Sequence, residues 1–347
     1  MTALALRERG PGTETVPGPR RSLLGLVVAL VVLLALLVLS LMVGSTAIPP
    51  SVVWDALFHP SAATDQFAIR DFRLPRTIVG LVVGAALGLS GALIQALTRN
   101  PLADPGVLGV HAGASFAVTV AVGLLGVRDV QGYMWFAFAG ALIVTLLVLA
   151  LGSTRQGSSP VVLVLAGICV GAVLGGAREA LQLTDPDAFD AMRNWNAGSI
   201  AGRPLEVVWP VLPFFAVALI LAFAVSGPLN ALALGDELAV AQGVRLVRTR
   251  VLAVIALTLL AGGATAIAGP IGFVGLMVPH VARWIVGPHQ RWIFAYSILL
   301  APSLLLASDI LGRIVMRPGE IPVGIVTAFV GAPVLVALVW RKKSSGL

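Results

Sequence analysis

The sequence contains little charge and almost no cysteine. Of its 347 residues, only 11% are charged and 58% are hydrophobic, whereas a soluble domain carries about 25% charged residues. The one cysteine, Cys169, lies inside an apolar run. A single cysteine excludes an internal disulfide, a cysteine zinc site and a cysteine-held cluster. The composition therefore excludes an ordinary soluble domain.

Charge is missing altogether from several long stretches. These stretches are 22–54, 77–98, 105–127, 130–154, 156–177, 207–235, 251–282 and 292–308. A membrane-spanning helix needs about 20 mainly apolar residues, and only helices or closed barrels can cross a bilayer. Barrel strands would alternate apolar and polar residues, but these stretches are apolar throughout. We therefore predict an all-α integral membrane protein.

About ten transmembrane helices are expected. They are predicted near 22–43, 77–97, 106–125, 132–151, 161–180, 206–226, 251–269, 272–286, 292–311 and 322–340. The stretch 251–282 can hold either one long helix or two short helices broken at Gly269-Pro270. Ten spans put both termini on one side, which the positive-inside rule identifies as the cytoplasm. Residues 1–21 are predicted to be a disordered cytoplasmic tail and residues 344–347 a short C-terminal tail.

The net charge of +7 does not indicate a nucleic-acid-binding protein, because the arginines separate the apolar runs instead of clustering on one face. The outer loop 44–76 contains a proline-started stretch that predicts a short interfacial helix. The cytoplasmic loop 227–250 predicts short helices outside the membrane, with Gly235 and Gly243 at their ends.

Glycine and proline mark helix contacts and helix breaks. Gly80, Gly84 and Gly88 form two successive GxxxG steps, which predict close packing between helices of the same chain. The segments 100–110 and 268–279 are both interrupted by proline and glycine. Such breaks at corresponding positions indicate an inverted repeat with a transport path beside it. We place the two repeats at roughly 77–180 and 251–340.

Residues for chemistry of the chain's own are scarce. His111 and His280 are far apart in sequence, and no cluster has metal-ligand spacing, so we expect no metal and no cofactor. The only lysines are Lys342 and Lys343, so the chain has no P-loop for ATP. Pairs of acids inside the spans are also absent, which disfavours proton coupling. We therefore expect a transporter subunit without enzymatic activity.

Several longer motifs carry a specific resemblance. They are Arg73-Leu74-Pro75-Arg76, the glycine-rich helix ending at Gln95, the run from Asn100 to Gly106, and the segments 234–244, 269–283 and 308–334. In this order they resemble the iron-chelate and cobalamin permeases of bacterial ABC importers, over essentially all of 22–343.

The resemblance implies a type II ABC importer fold, with 22–343 as one permease domain and coupling helices at about 229–248. It implies a homodimer, or a heterodimer with a paralogous permease, in the bacterial plasma membrane. Two ATPase subunits would lie below and an extracytoplasmic binding protein above, with no nucleic acid involved.

The resemblance also implies roles for individual residues. Binding-protein docking falls on Arg73, Arg76 and Arg313. ATPase coupling falls on Gly235, Asp236, Glu237, Ala239 and Gly243. The cytoplasmic gate falls on Asn100 and Leu102. The partner loop of the gate, 157–160, carries Pro160 where some members have a hydroxyl residue. The residues that form the second half of the gate are therefore not assigned.

The cargo implied by the resemblance is an iron(III)–siderophore complex, with haem or cobalamin as alternatives. Two other classes are less favoured. A secondary transporter would need buried acids for ion coupling. An intramembrane serine protease could use Ser90 with the remote His280, but such short patterns recur by chance.

Overall fold

The computed structural model describes residues 19–44, 46–59, 63–154, 157–158, 160–184 and 186–343. Most of the predicted tail 1–21 and all of 344–347 lie outside these residues. Residues 19–21 belong to the first helix. The described chain consists of helices and connecting loops, apart from one pair of two-residue strands, in which β1 (Ser153–Thr154) pairs antiparallel with β2 (Gly157–Ser158).

Fourteen α-helices follow one another in the described residues. They are α1 (Pro19–Met42), α2 (Pro50–Phe58), α3 (Thr64–Phe67), α4 (Leu74–Thr98), α5 (Val110–Gly123), α6 (Val130–Gly152), α7 (Pro160–Thr184), α8 (Pro186–Asn196), α9 (Leu212–Leu232), α10 (Asp236–Ala241), α11 (Leu246–Ala268), α12 (Val274–Val286), α13 (Gln290–Val315) and α14 (Val323–Lys343). A π-helical turn, Ala68–Arg73, joins α3 to α4. Short 3₁₀ turns cover Pro105–Leu108 and Leu205–Val207.

Ten of these helices correspond to the ten predicted spans. In the described part of the chain, seven are long and apolar enough to cross a membrane: α1, α3 with α4, α6, α7, α9, α11 and α13. The other three, α5, α12 and α14, are shorter apolar helices. The prediction of an all-α protein with about ten spans is confirmed, and the stretch 251–282 divides into α11 and α12.

Two predicted span boundaries were wrong. The second span was expected to begin at 77, but the helix is continuous over 35 residues from Thr64 to Thr98. Charged residues before 77 argued for a loop, yet Arg73 and Arg76 are buried by partners inside the chain. The sixth span was expected at 206–226, whereas α9 runs from Leu212 to Leu232 and contains Pro228.

The helices pack in a reciprocal pattern. The long helix α4 packs against α11, α12 and α13, while the long helix α11 packs against α4, α5 and α6. The contacts within each unit also correspond, since α5, α6 and α7 pack together, as do α12, α13 and α14, while α1 packs on α13 and α9 packs on α11 outside this pattern. Two related four-helix units exchanging their first helices would produce this pattern, as the inverted repeat requires.

The predicted glycine steps lie at the contact between α4 and α13. A Cβ at Gly84 would lie 2.5 Å from Pro302 Cα, and a Cβ at Gly80 would lie 2.7 Å from Leu306 Cδ2. Farther along α4, a Cβ at Gly91 would overlap the carbonyl oxygen of Gly275 on α12. Small residues therefore let α4 approach the second unit closely, which confirms packing within one chain.

The end of α8 and the segment after it cover the break between α11 and α12. Trp195 is 1% exposed and its indole nitrogen donates to the Ala266 carbonyl at 3.4 Å. The Ser199 amide donates to the Ala268 carbonyl at 2.8 Å. Because backbone polar groups at membrane depth need partners within the protein, these bonds allow the helix to break here.

Candidate functional site at the two ends of the helix bundle

The predicted docking arginines meet at one end of the bundle, which we call the arginine end (Arg73, Arg76 and Arg313). Asp309 on α13, 1% exposed, lies at their centre. Arg76 donates through Nε and Nη2 to the Asp309 carboxylate, with the shortest distance at 2.7 Å. Arg313 pairs with the same carboxylate at 2.7 Å from one helical turn away. One buried acid thus holds two arginines.

The same arginines also complete the end of α1. Arg313 Nη1 donates to the carbonyls of Ser40 and Val43 at 2.9 and 2.6 Å. Arg73 donates to the carbonyls of Leu41 and Met42 at 2.9 and 2.8 Å. The last carbonyls of a helix have no partner within the helix and carry its negative dipole end. Two guanidinium groups therefore cap α1 and attach it to α4 and α13.

Arg76 keeps one further bond, which reaches the surface. Its Nη1 donates to Glu320 Oε2 at 2.6 Å, and the Glu320 side chain is 40% exposed. Glu320 lies in the connection between α13 and α14. Three arginines therefore meet two acids at this end, and exposed charges of both signs flank them in the sequence, namely Asp65, Arg70, Asp71 and Arg317.

The three arginines are together but not free. Arg73, Arg76 and Arg313 are 7%, 8% and 2% exposed, and each is bonded within the chain. Their role in docking a binding protein stays a prediction. The sequence indicated no pair of acids inside the spans, and among the described residues the structure shows a single buried acid, Asp309, inside α13. Since two arginines already bind Asp309, it offers no free carboxylate for proton coupling.

The predicted coupling residues lie at the other end of the bundle, which we call the α10 end (α10 with its flanking residues 233–245). Gly235 precedes α10 with φ +114° and Gly243 follows it with φ +83°, so the expectation that both glycines end the helix is confirmed. A Cβ at either glycine would meet nothing within 4 Å. Ala239 faces inward and is fully buried.

Asp236 fixes α10 to both repeats. Its carboxylate pairs with Arg99 at the end of α4 and, at 2.6 Å, with Arg250 in the first turns of α11. Glu237 next to it is exposed. Because α4 ends where α11 begins, the first helices of the two repeats are antiparallel, and Asp236 connects the two repeats at this end.

The residues of the predicted cytoplasmic gate lie at the same end. Asn100 Oδ1 accepts the Leu102 amide at 2.9 Å, and Leu102 is 45% exposed. Arg99 before them has a positive φ of 51° and ends α4. The role of Asn100 and Leu102 in a cytoplasmic gate stays a prediction. Part of the partner loop 157–160 lies outside the described residues.

Exposed apolar side chains surround α10. Leu234, Leu238, Val240 and Val247 are 61%, 56%, 55% and 77% exposed. They occupy the loop before α10, α10 itself and the first turn of α11. Contiguous apolar surface rimmed by charges is typical of a protein-binding surface.

The other polar residues weighed above have structural partners. Ser90 is fully buried and its hydroxyl donates to the Leu87 carbonyl at 2.9 Å, so it is not poised as a nucleophile. His111 Nδ1 lies 3.0 Å from the hydroxyl of Thr265. Among the residues that the structure describes, no group of three His, Cys, Asp or Glu could hold a metal.

The sequence reasoning missed Asp309 and Glu320. Asp309 and Arg313 are four residues apart on α13, which is the spacing of an ion pair on one helix face, so this pair could have been read from the sequence. Arg76 is 233 residues from Asp309 and 244 from Glu320. Only the packing of α4 against α13 brings them together.

The fold and the two ends of the helix bundle define the class of protein. The chain is a helical membrane protein of two related units, with a charged network at one end and a short external helix at the other.

Comparison with known proteins identifies the family. Residues 32–341 match the model of the FecCD transport family, and the chain belongs to that family. The resemblance stated from the motifs is thereby confirmed.

Relatives match along nearly the whole chain. The ferric enterobactin transport system permease protein FepD of Escherichia coli is 47% identical over 93% of this chain and 96% of its own length. A siderophore transport system permease protein, YfiZ of Bacillus subtilis, is 36% identical over 91% of this chain and 95% of its own length. A solved structure of a metal-chelate type ABC transporter in an inward-facing conformation superposes with a TM-score of 0.80 at 28% identity, covering 91% of this chain and 98% of the other.

Proposed function

We propose that this chain is the membrane permease of an ABC importer that carries an iron(III)–siderophore complex into the cytoplasm. The observation that carries the proposal is the 47% identity, over 93% of the chain, to a ferric enterobactin permease. Several further relatives are named as permeases for iron–citrate or iron–hydroxamate import. Haem and cobalamin are the alternative cargoes, and no relative named here carries either.

ATP hydrolysis would belong to a separate subunit that binds at the α10 end. The apolar side chains around α10 supply a surface for a groove in the ATPase, and the open space at Gly235 and Gly243 allows close approach. Asp236 would transmit the movement of α10 to both repeats, since it pairs with the end of α4 and the start of α11. This end would face the cytoplasm, with both termini.

The binding protein would dock at the arginine end on the outer side of the membrane. The clustered arginines at this end suit acidic groups on the partner, because complementary charge speeds encounter and fixes orientation. Arg73 and Arg313 would act mainly by holding α1 in place, while Arg76 has one nitrogen bonded to the half-exposed Glu320.

Transport would require a second permease, either another copy or a paralogue. The span in α7 is only 11% buried within the chain, and Val173 on this helix is 72% exposed. Phe329 on α14 is 77% exposed. We propose that α7 and α14 face the partner permease, with the transport path between them.

The proposal is tested by purifying the tagged chain from its own membranes. We expect an ATPase and an extracytoplasmic binding protein to copurify, and we expect the binding protein to retain a ferric chelate. Deletion of the gene should reduce growth on that chelate as the sole iron source. If the copurified binding protein held haem or cobalamin, the cargo assignment would be wrong while the permease assignment stood.

A further inference from the structure

At the arginine end, Arg76 presents its three donor nitrogens unequally. Nε and Nη2 bind Asp309, which is 1% exposed, at distances between 2.7 and 3.1 Å. Nη1 binds only Glu320, whose side chain is 40% exposed. The inner edge of the guanidinium is therefore fixed in the core, and its outer edge is covered by one half-exposed acid.

We propose that Glu320 occupies, in the undocked permease, the place that a carboxylate of the binding protein takes when it docks. This inference rests on the proposed function, since it assumes an acidic partner at this end. The partner's carboxylate replaces that of Glu320 at Arg76 Nη1, and Glu320 turns into solvent.

The exchange is favourable in kind because it replaces one carboxylate by another. Arg76 is never left unpaired, which avoids the large cost of a buried cation without a partner. Glu320 is already 40% exposed, and its release into solvent completes its hydration instead of removing it. Asp309 holds the guanidinium in a fixed orientation throughout, and a fixed planar donor suits a carboxylate that arrives from outside.

The exchange also explains how a buried arginine can serve as a docking residue. The Arg76 side chain is 10% exposed while Glu320 covers it. Arg73 also has an outer edge, since its Nη2 donates to the carbonyl and the hydroxyl of the exposed Thr46 at 2.8 and 3.4 Å, but these partners are neutral. The bonds of Arg313 go to the carbonyls at the end of α1, to the Ser40 hydroxyl and to the buried Asp309. Arg76 is thus the one of the three whose outer edge is held by a half-exposed acid, and Glu320 sets the strength of docking at this position.

The test measures docking of the copurified binding protein to the permease–ATPase complex in nanodiscs. Glu320→Gln removes the competing charge. We expect it to tighten docking roughly threefold to tenfold, mainly through faster association. Glu320→Asp keeps the charge and should stay near the wild type. Asp71→Asn is the matched control: Asp71 is exposed at the same end and forms no ion pair in the part of the chain that the structure describes. It should change docking by less than about twofold.

The outcomes separate this inference from the proposed function. If the wild type docks and Glu320→Gln weakens docking or leaves it unchanged, Glu320 supports the surface and the inference is wrong. An equal gain with Asp71→Asn would show a general charge effect and would also overturn it. If the wild-type complex does not dock any binding protein, the proposed function fails and the inference fails with it. An unchanged elution volume of the Glu320→Gln complex shows that the variant is folded.

Discussion

Replacement of Asp309 is the sharpest test of the network at the arginine end. Asp309→Ala removes the carboxylate that both Arg76 and Arg313 contact. Both guanidinium groups then stay buried, at 8% and 2% exposure, with less than their full set of partners. Breaking a buried pair by removing one member costs about 3–5 kcal/mol, because the other charge is left uncompensated.

The expected result is a large loss of thermal stability. A loss of about 3–5 kcal/mol predicts a fall in Tm on the order of 5–10 °C for a chain of this size. The assay is thermal unfolding of the purified chain in detergent at one scan rate, since membrane proteins commonly unfold irreversibly. Asp71→Asn, at an exposed position, is the control and should change stability by less than about 0.5 kcal/mol.

A double-mutant cycle identifies the cause. Asp309→Ala combined with Arg76→Ala should lose less than the sum of the single changes, with a coupling on the order of 0.5–3 kcal/mol. Equal Tm values for Asp309→Ala and the wild type, or strictly additive losses, would refute the claim that Asp309 supports the buried arginines.

Three further predictions concern packing, coupling and topology. Gly91→Ala should destabilise the chain by about 1–3 kcal/mol, because the added Cβ would overlap the Gly275 carbonyl. Gly175→Ala is the control, since a Cβ at Gly175 meets no atom of the described chain within 4 Å. Similar Tm values for the two variants would count against the close contact. Gly243→Trp should abolish copurification of the ATPase. Gly202→Trp is the control and should leave copurification unchanged, although both glycines have positive φ and open surroundings. Binding of the ATPase to both variants would exclude the α10 end as the coupling surface. Reporters after Lys343 and near Arg245 should be cytoplasmic and one near Asp187 external; a C-terminal reporter found outside would rule out ten spans.

The sequence predicted the fold well because membrane helices are encoded locally. A bilayer-spanning segment must satisfy its own backbone hydrogen bonds, so long uncharged runs indicated nearly all ten spans. The close contact made by α4 could also be predicted locally, because its glycines recur every four residues and so lie on one face of the helix. The predicted start of the second span, at 77, was wrong because the charged residues before it were taken to lie in a solvent-exposed loop.

The candidate site was predictable only in part. Gly235 and Gly243 were placed correctly because positive φ is a local property that favours glycine. The partners of Arg76 could not be inferred, because Asp309 and Glu320 are more than 200 residues away and meet it through the contact of α4 with α13. The docking role of the outward arginines stays a prediction, and the structure adds a role that the sequence did not indicate, since Arg73 and Arg313 cap the C-terminal end of α1.

The measurement that tests the central claim most directly is transport in proteoliposomes. The chain is reconstituted with its copurified ATPase, and the copurified binding protein is loaded with its own chelate carrying radioactive iron. The account predicts uptake that requires ATP on the α10 side and the binding protein on the arginine side, and that persists after an ionophore collapses the proton gradient. Uptake without ATP, or uptake abolished by the ionophore, would contradict the assignment as an ABC importer permease.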